Sequence, residues 1–311
     1  MGVPKLIMLV GLPGSGKTTF AKNNCCDFIV HSSDDLRVEL YDNVNDQTHN
    51  AELFIELHKR VKEDLKRGNN VVYDATNLNK KRRIAFLQEL KNIPCYKECV
   101  VCLVPSEDCL RRNLLRDRAV PLSVLHRMYL NFQPPHKHEG FDNIKLYYGF
   151  DGDEYEECVN YYNSTRFFKD SINFDQENHH HSLTLGEHCI EAAKYIKDKY
   201  PLREDLFLAA FYHDQGKLST KIFYKPDGKL DEEAHYYQHH CVGAYDSFFY
   251  LFNYGCSVDE ILYISNLIYF HMHPYMSWYQ SDKAMVKDRW LIGDKMFKDV
   301  LALHEADLAA H

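Results

Sequence analysis

Apolar positions in the first half of the chain follow two rhythms. Short apolar runs at Lys5–Val10, Phe28–His31, Asn70–Tyr73 and Glu98–Val104 predict strands. Between them, Lys17–Asn23, Ala51–Arg67 and Lys80–Lys91 predict helices. The longest keeps Leu53, Leu57, Val61 and Leu65 on one face and stops at Gly68. Strands alternating with helices predict a parallel sheet with right-handed crossovers. The rhythm breaks at Gln133-Pro134-Pro135. Residues 136–178 are rich in Tyr, Asp and Glu, with alternation at Ile144-Lys145-Leu146-Tyr147-Tyr148, and read as a connector with some strand. From Ser182 the period is helical throughout: Leu183–Lys199, Glu204–His213, His239–Phe252, Val258–His271 and Lys283–Ala309. The expected organisation is an α/β domain over 1–135, a connector over 136–178 and an all-α domain over 179–311. There is no internal repeat.

Composition narrows the class. Of 311 residues, 45% are hydrophobic and 26% charged, which excludes a disordered, collagen-like or disulfide-stapled chain. No apolar run approaches the roughly 18 residues that a bilayer-spanning helix needs. Ten cysteines without framework spacing suit a reducing compartment, so a soluble cytoplasmic protein is expected. The net charge of −8 is uneven: residues 1–136 carry 20 basic and 16 acidic side chains, the rest 17 and 29. Twelve of 18 histidines lie from His179 onward. A phosphate-handling module followed by a metal-binding one would have this skew.

The phosphate module has a definite motif. Gly11-Leu12-Pro13-Gly14-Ser15-Gly16-Lys17-Thr18 matches G-x-x-x-x-G-K-[ST] between a predicted strand and helix. The candidate nucleotide-binding residues are Gly11, Gly14, Ser15, Gly16, Lys17, Thr18 and Thr19. The glycines let backbone N–H groups converge on phosphate, Lys17 can reach the β- and γ-phosphates, and Thr18 can ligate Mg²⁺.

Other candidates follow it. Ser32-Ser33-Asp34-Asp35-Leu36-Arg37 places carboxylates at a strand's carboxyl end, where one can cap a helix and its neighbour can take a proton from an attacking hydroxyl. Asp74, ending the next strand, suits a Mg²⁺ second shell or a substrate contact. The basic run Lys80–Arg83 reads as a solvated helix start. Arg116 and Arg118, on a short helix-and-loop lid, can neutralise a transferring phosphoryl group or pair with Asp117. Cys99 and Cys102 alternate within a Val-rich strand and read as core. Tyr147-Tyr148 and Tyr161-Tyr162 read as packing or as base-stacking residues.

The helical half places His213-Asp214 at the end of a strongly apolar helix, a costly position unless paired or bound to metal. His188 lies upstream; His239-His240, His271 and Asp307 lie downstream. His188, His213, Asp214, His240, His271 and Asp307 could hold two ions with a bridging carboxylate and activate a water. Imidazole and carboxylate suit Mn²⁺, Fe, Co, Ni or Zn without choosing among them. His239 and His273 are alternatives to their neighbours. His180 and His181 line a pocket or a solvated turn, and His311 follows an apparently complete domain.

The order GLPGSGKTT, SSDDLR, DATNLNKKRR, RNLLRDRAVP and VLHRMY, over residues 4–133, resembles the kinase domain of phage-type polynucleotide 5′-kinases. That resemblance implies Asp34 as general base and Arg37 on the acceptor nucleotide. It also implies Lys17, Arg116 and Arg118 as clamps on the ATP phosphates, with Mg²⁺. One departure is Ala75, which separates Asp74 from the Thr-Asn pair. The order H…HD…H…H…D over 178–311 resembles the HD phosphohydrolase superfamily. It implies His188, His213, Asp214 and Asp307 around one metal, His240 and His271 at a second metal or on phosphate, and Lys217 against the scissile phosphate. Gln215 departs from the apolar residue usual in that element.

The expected fold is thus an α/β P-loop kinase domain, a parallel sheet with flanking helices, followed by an all-α HD domain. The expected function is nucleic-acid end healing: ATP-dependent 5′-hydroxyl phosphorylation together with hydrolysis of a 2′,3′-cyclic or 3′-phosphate. RNA ends and a downstream ligase are the expected partners, with no membrane. Two alternatives stay open: a nucleoside or small-molecule kinase fused to an HD nucleotidase, and a kinase gated by a nucleotide-sensing HD domain.

Overall fold

A computed structural model describes residues 2–43, 48–116, 119–179 and 182–310. Five strands, β1 (Lys5–Val10), β2 (Ile29–Ser32), β3 (Val71–Asp74), β4 (Tyr96–Leu103) and β5 (Asn143–Tyr148), form one parallel sheet in the order β2-β3-β1-β4-β5. Strands β1 and β4 are near-continuous apolar runs because both of their faces are covered; Leu6, Met8, Leu9, Cys99 and Cys102 are fully buried. The covering helices are α1 (Lys17–Asn24), α2 (Ser33–Tyr41), α3 (Asn50–Lys66), α4 (Lys80–Glu89) and α5 (Ser106–Leu114). Helix α3 buries the four aliphatic residues expected of it.

Register sets the chemistry of this sheet. Met8 of β1 lies beside Tyr73 of β3, and Ser32 of β2 lies beside Asp74. The carboxyl ends of three adjacent strands therefore deliver the glycine loop, Asp74 and the start of α2 to one crevice. Behind it, the fully buried pair Arg83–Glu139 (2.7 Å) ties α4 to the turn at residues 137–139, and Arg83 also donates to the carbonyls of Asn77 and Leu78. Asn77 in turn donates to Leu9 O (2.8 Å), which pins the loop after β3 to the central strand.

The chain divides into two compact units, residues 1–125 with 135–150 and residues 126–134 with 151–311. This corrects the connector expected at 136–178. Its first part supplies β5, and its second supplies α7 (Gly152–Tyr161) and α8 (Ser164–Ser171) of the second unit. As an edge strand, β5 buries Ile144 while its other residues are half-buried or exposed, so its hydrophobic signal is weak. Helix α6 (Leu122–Tyr129) carries the chain from one unit into the other.

The second unit is mainly helical: α9 (Leu185–Lys199), α10 (Glu204–Tyr212), α11 (Lys217–Thr220), α12 (His239–Tyr254), α13 (Val258–Phe270) and α14 (Asp282–Ala309). Helix α14 is kinked at Gly293, where φ is +80°. Its core is aromatic, with Tyr212, Tyr245, Phe248, Phe249, Phe270 and Trp278 fully buried. Tyr162 is one of these packing residues, tilted against Phe249 and edge-on to Tyr250, whereas Tyr161 is exposed. To the helices is added an antiparallel hairpin, β6 (Ile222–Tyr224) and β7 (Leu230–His235), turning at Pro226-Asp227-Gly228. Among the described residues no helix is long and apolar enough to cross a membrane.

Candidate functional site

The loop after β1 adopts a phosphate-ready conformation. Gly14 and Gly16 have φ of +88° and +85°, a region closed to most side chains, and a Cβ on Gly14 would lie 2.5 Å from Cys109 O. No side chain caps α1, so its first amides point into the loop. The Lys17 ammonium bridges the loop, donating to Gly11 O (3.1 Å) and Leu12 O (2.7 Å). The Thr18 hydroxyl donates to Asp74 Oδ2 (2.9 Å), bringing together the hydroxyl and carboxylate that hold Mg²⁺ in P-loop enzymes. Burial pushes the Asp74 carboxyl up, while Lys17 and Thr18 pull it back and Asp34 and Asp35 add repulsion. The donor set fits a Mg-nucleotide. Thr19 follows, exposed on α1.

Ser32 settles which residue caps α2. Its hydroxyl accepts from the amides of Asp34 and Asp35, both at 3.2 Å, so neither carboxylate is spent on the helix end. Asp34 is half-buried on the crevice side, close enough to Asp74 to act on its charge, and Arg37 lies buried one turn further along α2. Arg116 is exposed beyond the end of α5. Among the described residues Arg112 reaches the phosphate loop, donating to Gly14 O (3.3 Å) and Gly149 O (2.5 Å). The reason is helix length. Arg112 and Arg116 would share a face of a longer helix, but α5 ends at Leu114. Arg118 and Asp117, like His180, His181 and His311, lie outside the described residues.

In the second unit, the ends of several helices converge on Asp214. Its Oδ2 lies 3.5 Å from Nε2 of both His188 and His213, and Asp307 Oδ1 is 3.1 and 3.5 Å from the same two nitrogens. Its Oδ1 lies 3.2 Å from His239 Nε2 and 3.5 Å from His271 Nε2. Two overlapping candidate ligand sets result, His188/His213/Asp214/Asp307 and Asp214/His239/His271, joined through one carboxylate.

Local structure fixes the tautomers. His213, His239 and His271 each turn Nδ1 onto the carbonyl three residues back, at 2.7, 2.8 and 2.6 Å, while His188 Nδ1 faces Ala310 O at 3.3 Å. A carbonyl accepts only, so each Nδ1 donates to it and Nε2 is turned toward the carboxylates. Nε2 atoms then meet in pairs, His188 with His213 at 3.1 Å and His239 with His271 at 3.2 Å. Ring nitrogens and carboxylate oxygens converging at these distances could hold a divalent cation.

Burial opposes charge here, yet the Asp214 carboxyl is held well below its ordinary range by Lys217 and the surrounding histidines, and Asp307 is held down by His188 and His213. The Lys217 ammonium sits 2.7 Å from Asp214 Oδ2 and donates to Gln176 Oε1 (2.8 Å).

This geometry corrects one expected ligand. His240 packs against Tyr269 and edge-on to His273, and burial pushes its imidazole down to about 2, the behaviour of a neutral core histidine. Its neighbour His239, with Asp214 and His271, belongs to the second group that could hold a metal ion. The expected consequence is asymmetric: His239→Ala lowers the metal content measured by inductively coupled plasma mass spectrometry by about half, and His240→Phe leaves it unchanged. Equal losses in both variants would contradict this assignment.

Comparison with known proteins bears on the first unit. A family model described as an AAA domain matches residues 6–135. A solved structure of a Pnkp1/Rnl/Hen1 RNA repair complex is similar to the chain at 25% identity, covering 41% of this chain and 43% of that one, with a TM-score of 0.35. A second Pnkp1/Rnl/Hen1 complex matches at 28% identity over 36% and 40%, TM-score 0.30. A gluconokinase from Sinorhizobium meliloti 1021 matches at 16% identity over 47% and 83%, TM-score 0.35. The chain spans less than half the length of the two repair-complex chains. Sheet order, glycine loop and family match together make residues 6–135 a P-loop domain of kinase type, a phosphotransferase fold that implies ATP and Mg²⁺.

Proposed function

We propose that the chain is a bifunctional end-healing enzyme acting on nucleic acid, with RNA ends favoured. The first unit transfers the γ-phosphoryl group of ATP to a 5′-hydroxyl. Asp34 takes the hydroxyl proton, Lys17 neutralises charge gathering on the phosphoryl oxygens, and ADP departs. Thr18 and Asp74 are the residues that would hold Mg²⁺, and Arg37 would meet the acceptor.

The second unit is proposed as an HD-type phosphohydrolase that opens a 2′,3′-cyclic phosphate with one water and cleaves the resulting 3′-phosphate with a second, releasing inorganic phosphate. His188, His213, Asp214 and Asp307 would hold one divalent ion, and Asp214, His239 and His271 a second. Such ions, when bound, supply the Lewis acidity and the acidified water that phosphoester hydrolysis needs. Asp214 Oδ2 anchors Lys217, whose ammonium can turn toward a phosphate oxygen. The products, a 5′-phosphate and a 3′-hydroxyl, are the ends a ligase joins.

The observation that carries this reading is the Asp214-bridged double ligand set beside Lys217, in the same chain as a complete phosphate loop with its Thr18–Asp74 pair. The motif resemblance over 4–133 supports the polynucleotide acceptor. The test is one RNA oligonucleotide with a 5′-hydroxyl and a 2′,3′-cyclic phosphate, incubated with ATP, Mg²⁺ and Mn²⁺ and followed by mass spectrometry. A phosphate gained at the 5′ end and lost at the 3′ end is expected. An untouched oligonucleotide alongside phosphorylated free nucleosides would overturn the polynucleotide reading.

A further inference from the structure

Gln215 sits between the bridging carboxylate and the helix that carries His239, and it is an unusual residue to bury. Its side chain is almost fully enclosed, and one amide atom, Oε1, has no hydrogen-bond partner. An unsatisfied buried acceptor is destabilising, so packing alone favours an aliphatic residue there. The other end of the amide is well used: Nε2 donates to Gly243 O at 2.7 Å. The amide cannot be turned over, because Oε1 would then face the Gly243 carbonyl, acceptor against acceptor.

Gly243 belongs to α12, one turn after His239. The contact between α12 and the 215–216 backbone is as close as glycine permits. A Cβ on Gly216 would fall 2.1 Å from His239 O and 2.7 Å from Gly243 N, and a Cβ on Gly243 would lie 3.4 Å from Gly216 N. The first turn of α12 therefore rests directly on the residues that follow Asp214, and the Gln215 amide is the directional bond across that contact. His239 is the ligand whose place depends on it. Its Nε2 lies 3.2 Å from both Asp214 Oδ1 and His271 Nε2, and its partner across the ring is Tyr236 O, on the strand side of α12. The remaining residues of the first set, His188, His213 and Asp307, come from α9, the end of α10 and α14; the Gln215 backbone amide donates to Tyr212 O of α10 (3.1 Å), but its side-chain amide bonds only to α12.

We infer that Gln215 is a positioning residue for the second ligand set: its amide fixes the placement of α12 against Asp214, so that Asp214 Oδ1, His239 and His271 converge on a divalent cation. The inference rests on the two-ion reading given under Proposed function. It assigns a role to the position where this chain departs from the apolar residue of the HD element.

The test is Mn²⁺ binding to the full chain, wild type against Gln215→Leu and Gln215→Asn, the latter keeping the amide but falling short by one methylene. Metal content and the electron paramagnetic resonance spectrum are read together, with thermal unfolding recorded for each protein. Wild type is expected to take up about two Mn²⁺ with a spin-coupled spectrum. Both variants are expected to keep about one Mn²⁺, show an uncoupled mononuclear spectrum, and bind the second ion about 10- to 100-fold more weakly. Retention of the coupled pair at wild-type affinity in both variants would overturn the role of Gln215 while leaving the two-ion reading intact. Loss of both ions would also overturn it, since the effect would not be confined to the second set. A wild type that holds only one ion would remove the two-ion reading and the inference with it.

Discussion

Lys17→Met lowers the rate of phosphoryl transfer by about 10²–10³-fold, measured as radiolabelled γ-phosphate transferred from ATP, with the melting temperature close to wild type. The magnitude follows from what the ammonium does. It is held over the loop by two carbonyls, Gly11 O and Leu12 O, so it is a preorganised positive charge where phosphate oxygens would gather negative charge. Losing one such donor typically costs that factor in rate. Methionine keeps an unbranched stem and removes the ammonium, with its charge and its two bonds to the loop carbonyls. The loop itself is set by Gly14, Gly16 and the bond from Gly11 N to Thr76 O (3.1 Å), none of which depends on Lys17. A variant within tenfold of wild type would mean that this loop does not carry the transfer step. The same assay on Asp74→Asn separates the metal from the charge, since that variant should recover activity as Mg²⁺ rises while Lys17→Met should not.

How much of this was legible in the sequence depends on how local each feature is. The phosphate loop is local: strand, glycines, lysine and threonine are contiguous, and the structure has them together as expected. The partnership of Thr18 with Asp74 is not, because it requires β3 to lie beside β1, an order that strand periodicity does not encode. His239 and His240 differ by a single step of about 100° around α12. Which one faces Asp214 depends on how α12 packs, its close contact with the 215–216 backbone included, and no residue-type signal separates two adjacent histidines. Arg112 was hidden by the early end of α5. By contrast, the hairpin β6–β7 carried a readable signal, a Pro-Asp-Gly turn between two short runs with apolar residues, within a stretch where no helix was predicted. Strand β5 carried one as well, in the alternation of Ile144–Tyr148. Its role as a fifth strand became visible only once β4 was there to pair with it.

Asp214→Asn abolishes metal binding at both ligand sets and lowers phosphoester hydrolysis by at least about 10³-fold, while 5′-phosphoryl transfer stays at the wild-type rate. The carboxylate is shared, Oδ2 toward His188 and His213 and Oδ1 toward His239 and His271, so one substitution reaches both sets. It also strands Lys217, whose ammonium lies buried 2.7 Å from Oδ2. Breaking a buried ion pair on one side costs about 3–5 kcal/mol, because the remaining charge stays out of water. The melting temperature should therefore fall as well, and Lys217→Met in the same background should restore part of it by removing the stranded cation. Metal content, hydrolysis and unfolding together separate two readings of this unit. If it hydrolyses a phosphoester, metal and activity are lost together and the kinase rate does not move. If it is a nucleotide sensor, wild type releases no phosphate, and Asp214→Asn instead changes how the kinase rate responds to added nucleotide.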